Sequence, residues 1–151
     1  MLRYLAFALV AASLGTTPAA GQAQPINWDR DLQRAWQSAQ SQQRPLILFV
    51  TSEQCHYCVL MKQQTWRDPA VVSAVRQGFV AAEVSTNFND RIAQLLNIRV
   101  LPTTLVISTE QKVLARFDGY MRPDQLVKQL EELPQQLVST DRDDDQTDTN
   151  D

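Results

Sequence analysis

Leu46-Ile47-Leu48-Phe49-Val50-Thr51-Ser52-Glu53-Gln54-Cys55-His56-Tyr57-Cys58-Val59-Leu60-Met61 runs from a continuous apolar stretch through a polar turn into a segment of helical character. Leu46 to Val50 is short, β-rich and non-alternating, the pattern of a central strand buried on both faces. Thr51 to Gln54 is the turn out of that strand, and a helix is expected from Cys55 through Leu60 and Met61 to about Trp66. The chain's only two cysteines, Cys55 and Cys58, stand three apart at this junction. In the loop-entropy model a disulfide closing so few residues stabilises by only about 2 kcal/mol, against ~4.7 kcal/mol for a loop of a hundred. The spacing is poor for holding a fold together and good for passing electrons.

At the start of a helix, unpaired backbone N–H groups and the helix dipole favour negative charge, so Cys55 is the cysteine whose thiolate forms most easily. Cys58, one turn on, is expected to be more buried and within reach of the Cys55 sulfur. Cys55 is therefore assigned as nucleophile and Cys58 as the resolving cysteine of a mixed disulfide. The intervening His56 and Tyr57 are the candidates for tuning the pair, since a protonated His56 would lower the Cys55 pKa. Three other readings stay open here. The pair could be a bare structural disulfide, it could bind a metal, or His56 could be an exposed linker residue without a chemical part. Metal binding is poorly supplied, because zinc takes four protein ligands or three plus water, and only two Cys and one His are at hand. A cysteine hydrolase needs a separate histidine base, and His56 is the only histidine in the chain.

Outward from this junction, Asn27 is expected to cap a helix with Trp28, Leu32, Ala35, Trp36 and Ala39 on one face, ending near Gln43. Asp68-Pro69 restarts a helix after Trp66, with Val71, Val72 and Val75 as its apolar face and Gly78 at its end. Phe79 to Val84 reads as a second buried strand, and Asp90 to Leu96 as a short helix. Thr103–Ile107 and Lys112–Phe117 read as a hairpin joined by Ser108 to Gln111, with Gly119 ending the second strand. A last helix from Pro123 places Leu126, Val127, Leu130 and Leu133 inward and is expected to stop at Pro134. Early strands joined by helices must be parallel, and the hairpin is antiparallel, so the fold class is α/β with a central mixed sheet flanked by helices.

The 151 residues are 44% hydrophobic and 21% charged, which suits one globular domain with modest extensions. The formal net charge of -3 and the scattered basic residues give no phosphate-binding stripe, so nucleic acid is not expected as a partner. Residues 1–23 read as a signal peptide, with Arg3, then apolar Leu5 to Leu14, then small residues through Ala23. The apolar run is short for a bilayer span. Residues 139–151, rich in Asp with Thr, Gln and Asn, read as an acidic disordered tail rather than a calcium site, since the EF-hand pattern is absent. The folded domain is expected over residues 26–138.

The strand–Cys-x-x-Cys–helix unit is followed by Ile98-Arg99-Val100-Leu101-Pro102-Thr103, the hairpin, Gly119 and a final amphipathic helix. Together these resemble the thioredoxin fold from about Trp28 to Leu133. More narrowly, Cys55 to Lys62, Trp66 to Val71 and Gly78-Phe79-Val80 are similar to exported thioredoxin-related proteins. Among these is the periplasmic C-terminal domain of membrane thiol:disulfide interchange proteins. The resemblance implies that Pro102 is cis and faces the cysteines, and that the Leu101 backbone pairs with an extended substrate segment. It also exposes departures. Gln54 stands where thioredoxins carry Trp, His56-Tyr57 replaces Gly-Pro, and Phe49 replaces the buried acid of the central strand.

The function these readings imply is an exported thiol:disulfide oxidoreductase, periplasmic or secreted. Its substrates would be cysteines of other exported proteins, and it would act as a monomer with no cofactor beyond its own redox pair and no metal. In an oxidising compartment it would need a membrane partner to stay reduced or an oxidase to stay oxidised. The alternatives are a thioredoxin-fold binding or chaperone module with an idle disulfide, and a chaperone for thiophilic metal.

Overall fold

Strand β1 (Leu46–Thr51) lies in the middle of the molecule, and all of its residues are buried. The computed structural model describes residues 24–86 and 90–143, with side chains as far as Leu133. The expected signal peptide and residues 144–151 of the acidic segment lie outside the described residues. β1 pairs in parallel with β2 (Val80–Ser85), Leu46 opposite Val80 and Thr51 opposite Ser85. On its other side it pairs antiparallel with β3 (Thr103–Ile107), Leu46 opposite Ile107 and Val50 opposite Thr103. β4 (Val113–Asp118) completes a four-stranded sheet in the order β2-β1-β3-β4.

The continuous apolar run of β1 is explained by the two cores it feeds. Ile47 and Phe49 face a cluster with Cys58 and Met61 of α2 (His56–Gln63), Val71, Val72 and Val75 of α3 (Pro69–Gly78), and Leu126 and Leu130 of α5 (Pro123–Asp143). Leu46, Leu48 and Val50 face the other, with Ala35 and Ala39 of α1 (Leu32–Gln42) and Ala93 of α4 (Arg91–Leu95). Period-2 geometry sends alternate residues to opposite faces, and both faces are covered.

Local chemistry sets the helix starts. Asp68 caps α3 by accepting from the N–H groups of Ala70 and Val71, with Pro69 at the first helical position. The start of α1 differs from expectation. Asp31, not Asn27, is the cap, accepting from the N–H groups of Gln33 and Arg34. The preceding residues are held extended along the sheet edge, where the Asp29 N–H donates to Ala81 O and the Glu83 N–H to Asp29 O, each at 2.9 Å. Trp28 therefore leaves the helix and joins the opposite core.

Two helix ends also differ. α2 stops at Gln63 and gives way to a 3-10 turn, Thr65–Arg67, because buried Thr65 donates its hydroxyl to Met121 O at 2.6 Å while Trp66 turns into the core. α5 runs through Pro134 to Asp143, into the first residues of the segment whose composition predicts disorder. Proline's fixed φ is itself helical, so its cost there is a lost N–H donor and crowding of the preceding turn.

Candidate active site

The turn from β1 into α2 places Cys55 as the N-cap residue of α2, in extended backbone conformation (φ -95°, ψ 103°). Its sulfur is bonded to that of Cys58, with Cα atoms 5.2 Å apart. The Cys58 N–H is shared between Cys55 Sγ and the Cys55 carbonyl oxygen, each 3.1 Å away, so an amide of the first helical turn reaches the sulfur that would bear charge once reduced. The two sulfurs are unequal in access. Cys58 is buried at 1% exposure, while Cys55 is partly exposed at the rim of the same core cluster.

His56 and Tyr57 both face solvent, Tyr57 at 58% exposure, with their rings in an edge-to-face contact at 5.6 Å. Tyr57 also approaches Tyr120 at 6.5 Å, and the Tyr120 hydroxyl donates to Gln64 Oε1 at 2.8 Å. Val59 and Val100 are each 45% exposed.

The Leu101–Pro102 peptide bond is cis. Because Val50 pairs with Thr103, the residue before Thr103 sits at the end of β1 from which the Cys55 turn departs. Pro102 is buried, and its carbonyl accepts from the Gly119 N–H at 2.7 Å. The Thr103 hydroxyl lies 2.7 Å from Val100 O and 2.8 Å from Asp118 Oδ1, which ties the loop before β3 to the end of β4. Arg116, then Thr103, hold the Asp118 carboxyl below the usual carboxylate range. Leu101 is half-buried and packs against both cores.

Phe49 fills the central-strand position where thioredoxins carry an acid. It is fully buried and forms an aromatic triad with Trp28 at 5.9 Å and Trp66 at 5.4 Å, the two indoles meeting edge-on at 4.9 Å. Glu53 is exposed in the turn. The acid closest in register is Glu83, opposite Phe49 on β2 and ion-paired to Lys62 of α2 at 2.6 Å. Lys62, Glu83 and Tyr120 were not singled out from the sequence. A signal for two of them is present: Lys62 follows Cys58 by four residues, one helical turn, and Glu83 interrupts the apolar run from Phe79 to Val84. Among the described residues no three His, Cys, Asp or Glu side chains converge on a metal position, and no helix is long and apolar enough to cross a membrane.

The family model described as "Thioredoxin-like domain" matches residues 32–134. The thiol:disulfide interchange protein DsbD of Campylobacter jejuni (strain RM1221) is 22% identical over 121 residues, covering 79% of this chain and 21% of that protein. The chain thus spans about a fifth of the length of the curated relatives it matches. A thioredoxin from Thermus thermophilus superposes with a TM-score of 0.65 at 23% identity, over 73% of this chain and 88% of that one. The C-terminal domain of Neisseria meningitidis DsbD in its oxidised form gives 0.61 at 17% identity, over 70% and 98%. The protein named DsbH oxidoreductase gives 0.62 at 17% identity, over 82% and 94%. At such identities the structural likeness concerns the fold, and the matched span, the sheet order and the disulfide at the start of α2 agree with it. The chain belongs to the thioredoxin-like domain family.

Proposed function

We propose that the chain is an exported thiol:disulfide oxidoreductase, exchanging disulfides with cysteines of other exported proteins. The observation that carries this reading is the asymmetry of the disulfide. A partly exposed Cys55 caps a helix and receives a backbone N–H, and it is joined to a buried Cys58. In the oxidising direction a substrate thiolate attacks Cys55 Sγ, the Cys55–Cys58 bond breaks, and Cys58 leaves as a thiolate that takes up a proton. A second substrate thiolate then attacks the substrate sulfur of the mixed disulfide and releases Cys55. The reducing direction reverses each step, with Cys58 resolving the mixed disulfide. Leu101 and Pro102 form the edge against which the substrate segment lies, and Tyr57 with His56 forms the opposite rim. The relatives named as thiol:disulfide interchange proteins support the chemistry, and the apolar stretch Leu5 to Leu14 after Arg3 supports export. A membrane redox partner would keep the pair in its working state.

In Cys58→Ala, a covalent complex with a cysteine-containing target is expected to accumulate on non-reducing gels, and Cys55→Ala is expected to lose exchange altogether. Exchange at the normal rate in Cys55→Ala would sink the assignment. Titration of the wild-type pair against glutathione sets the direction. A potential of about -120 to -180 mV would make it an oxidant or isomerase, and about -270 mV a reductant. A value below about -300 mV with an unreactive Cys55 would leave a binding module with an idle disulfide.

A further inference from the structure

Glu83 and Lys62 form a charged pair beside a core that otherwise lacks charge. The Glu83 side chain is only 15% exposed, and it is bonded to Lys62 Nζ at 2.6 Å. Lys62 stands one turn after Cys58 on α2, so the two side chains leave the same face of the helix. Its Nζ also lies 5.9 Å from the centre of the Phe49 ring, and Phe49 belongs to the core cluster that contains Cys58. The pair lines a cleft of about 420 Å³ together with Arg30, Thr51, Ser52 and Glu53. Thr51 Oγ1, on a residue 1% exposed, is buried beneath this cleft and finds no hydrogen-bond partner among the described residues. Stability alone is a poor account of this pair. A desolvated ion pair gains little over apolar residues of the same volume, and an exposed one gains little over solvated charges.

Resting on the exchange function above, we propose that Lys62 and Glu83 are positioning residues that set how readily Cys58 ionises, where β1 carries Phe49 rather than a charged group. When Cys58 resolves a mixed disulfide, its thiol gives a proton to solvent and its sulfur bonds to Cys55 Sγ. The bond from Cys55 to the substrate sulfur breaks, and the substrate leaves as a thiolate. The cysteine pair is oxidised and the substrate disulfide reduced. Lys62 favours the Cys58 thiolate and Glu83 opposes it, so the balance between the two charges sets the ionisation. The other charges around the pair are Arg30 and Glu53 in the cleft, and the Asp29–Arg34 bridge on the segment whose Asp29 carbonyl accepts the Glu83 N–H.

The two charges predict opposite effects, which a merely structural pair would not produce. Reduced full-length protein is mixed rapidly with oxidised glutathione, and the concentration-independent phase, resolution by Cys58, is measured by acid quench across pH. Glu83→Gln is expected to lower the midpoint of that phase by about one pH unit. Resolution at neutral pH then rises only about threefold, because the tenfold gain in thiolate is partly offset by lower nucleophilicity. Lys62→Met is expected to raise the midpoint and slow resolution by a similar factor. Lys62→Arg should stay near wild type, and the double variant Lys62→Met, Glu83→Gln should return toward it. Midpoints that move in the same direction in both single variants, or in neither, overturn the proposal. If Glu83→Gln does not fold, equal midpoints for Lys62→Met and Lys62→Arg do the same. A wild-type protein that exchanges no disulfide with glutathione would instead sink the function on which the proposal rests.

Discussion

Gly119 shows how one residue's backbone freedom shapes the site. Its φ of +91° lies where side chains are rarely accommodated, and its N–H donates to the carbonyl of Pro102, just before β3. A Cβ added at Gly119 would meet nothing within 4 Å, so the cost of substitution is conformational rather than steric. Gly119→Ala is expected to lower stability by about 1–2 kcal/mol in urea unfolding. The loss should come with slower exchange, because the carbonyl it holds follows Leu101. A neutral effect on both would mean that this strand end can relax without moving the site. The sequence marks Gly119 as a strand breaker, but its partner lies seventeen positions earlier (119 minus 102), and no local pattern connects the two.

The segment before α1 shows the same dependence at the scale of an element. Apolar spacing places Trp28 on the helix with Leu32, Ala35, Trp36 and Ala39. The edge of β2 competes for that backbone and wins, because extended pairing at Asp29 satisfies an N–H and a C=O at once. Arg34 then fastens the helix to this bridge, with Nε 2.7 Å from Asp29 Oδ2 and Nη2 2.6 Å from Oδ1. That guanidinium, helped by the Asp31 N–H, holds the Asp29 pKa down at about 2. A depressed carboxylate contributes stability above its ordinary range, and that contribution fades as the pH falls through its unfolded and then its folded value. Wild type is therefore expected to exceed Asp29→Asn in urea midpoint near neutral pH, with the gap closing as pH approaches 2. A gap undiminished at pH 2 would show that the bridge acts by shape rather than charge.

For the whole molecule, the disulfide is a small part of what holds the fold. The two cores on either side of β1 are built almost entirely from other residues, and the bond closes only the short loop from Cys55 to Cys58. Reduction is expected to leave a cooperatively folded protein and to change its unfolding free energy by no more than about 2 kcal/mol, read from urea curves with and without reductant. Loss of cooperative unfolding on reduction would make the bond structural. The order of elements, the buried central strand, the Asp68-Pro69 helix start and the place of the two cysteines are all legible along the chain. Each of these is written in local periodicity, capping or turn chemistry. It takes the folded arrangement to bring Trp28 into the aromatic triad, Pro102 to Gly119, and Glu83 to Lys62 beside Phe49. Those pairings depend on strand register and helix placement, which join residues far apart in the chain and leave no trace in any one window of it.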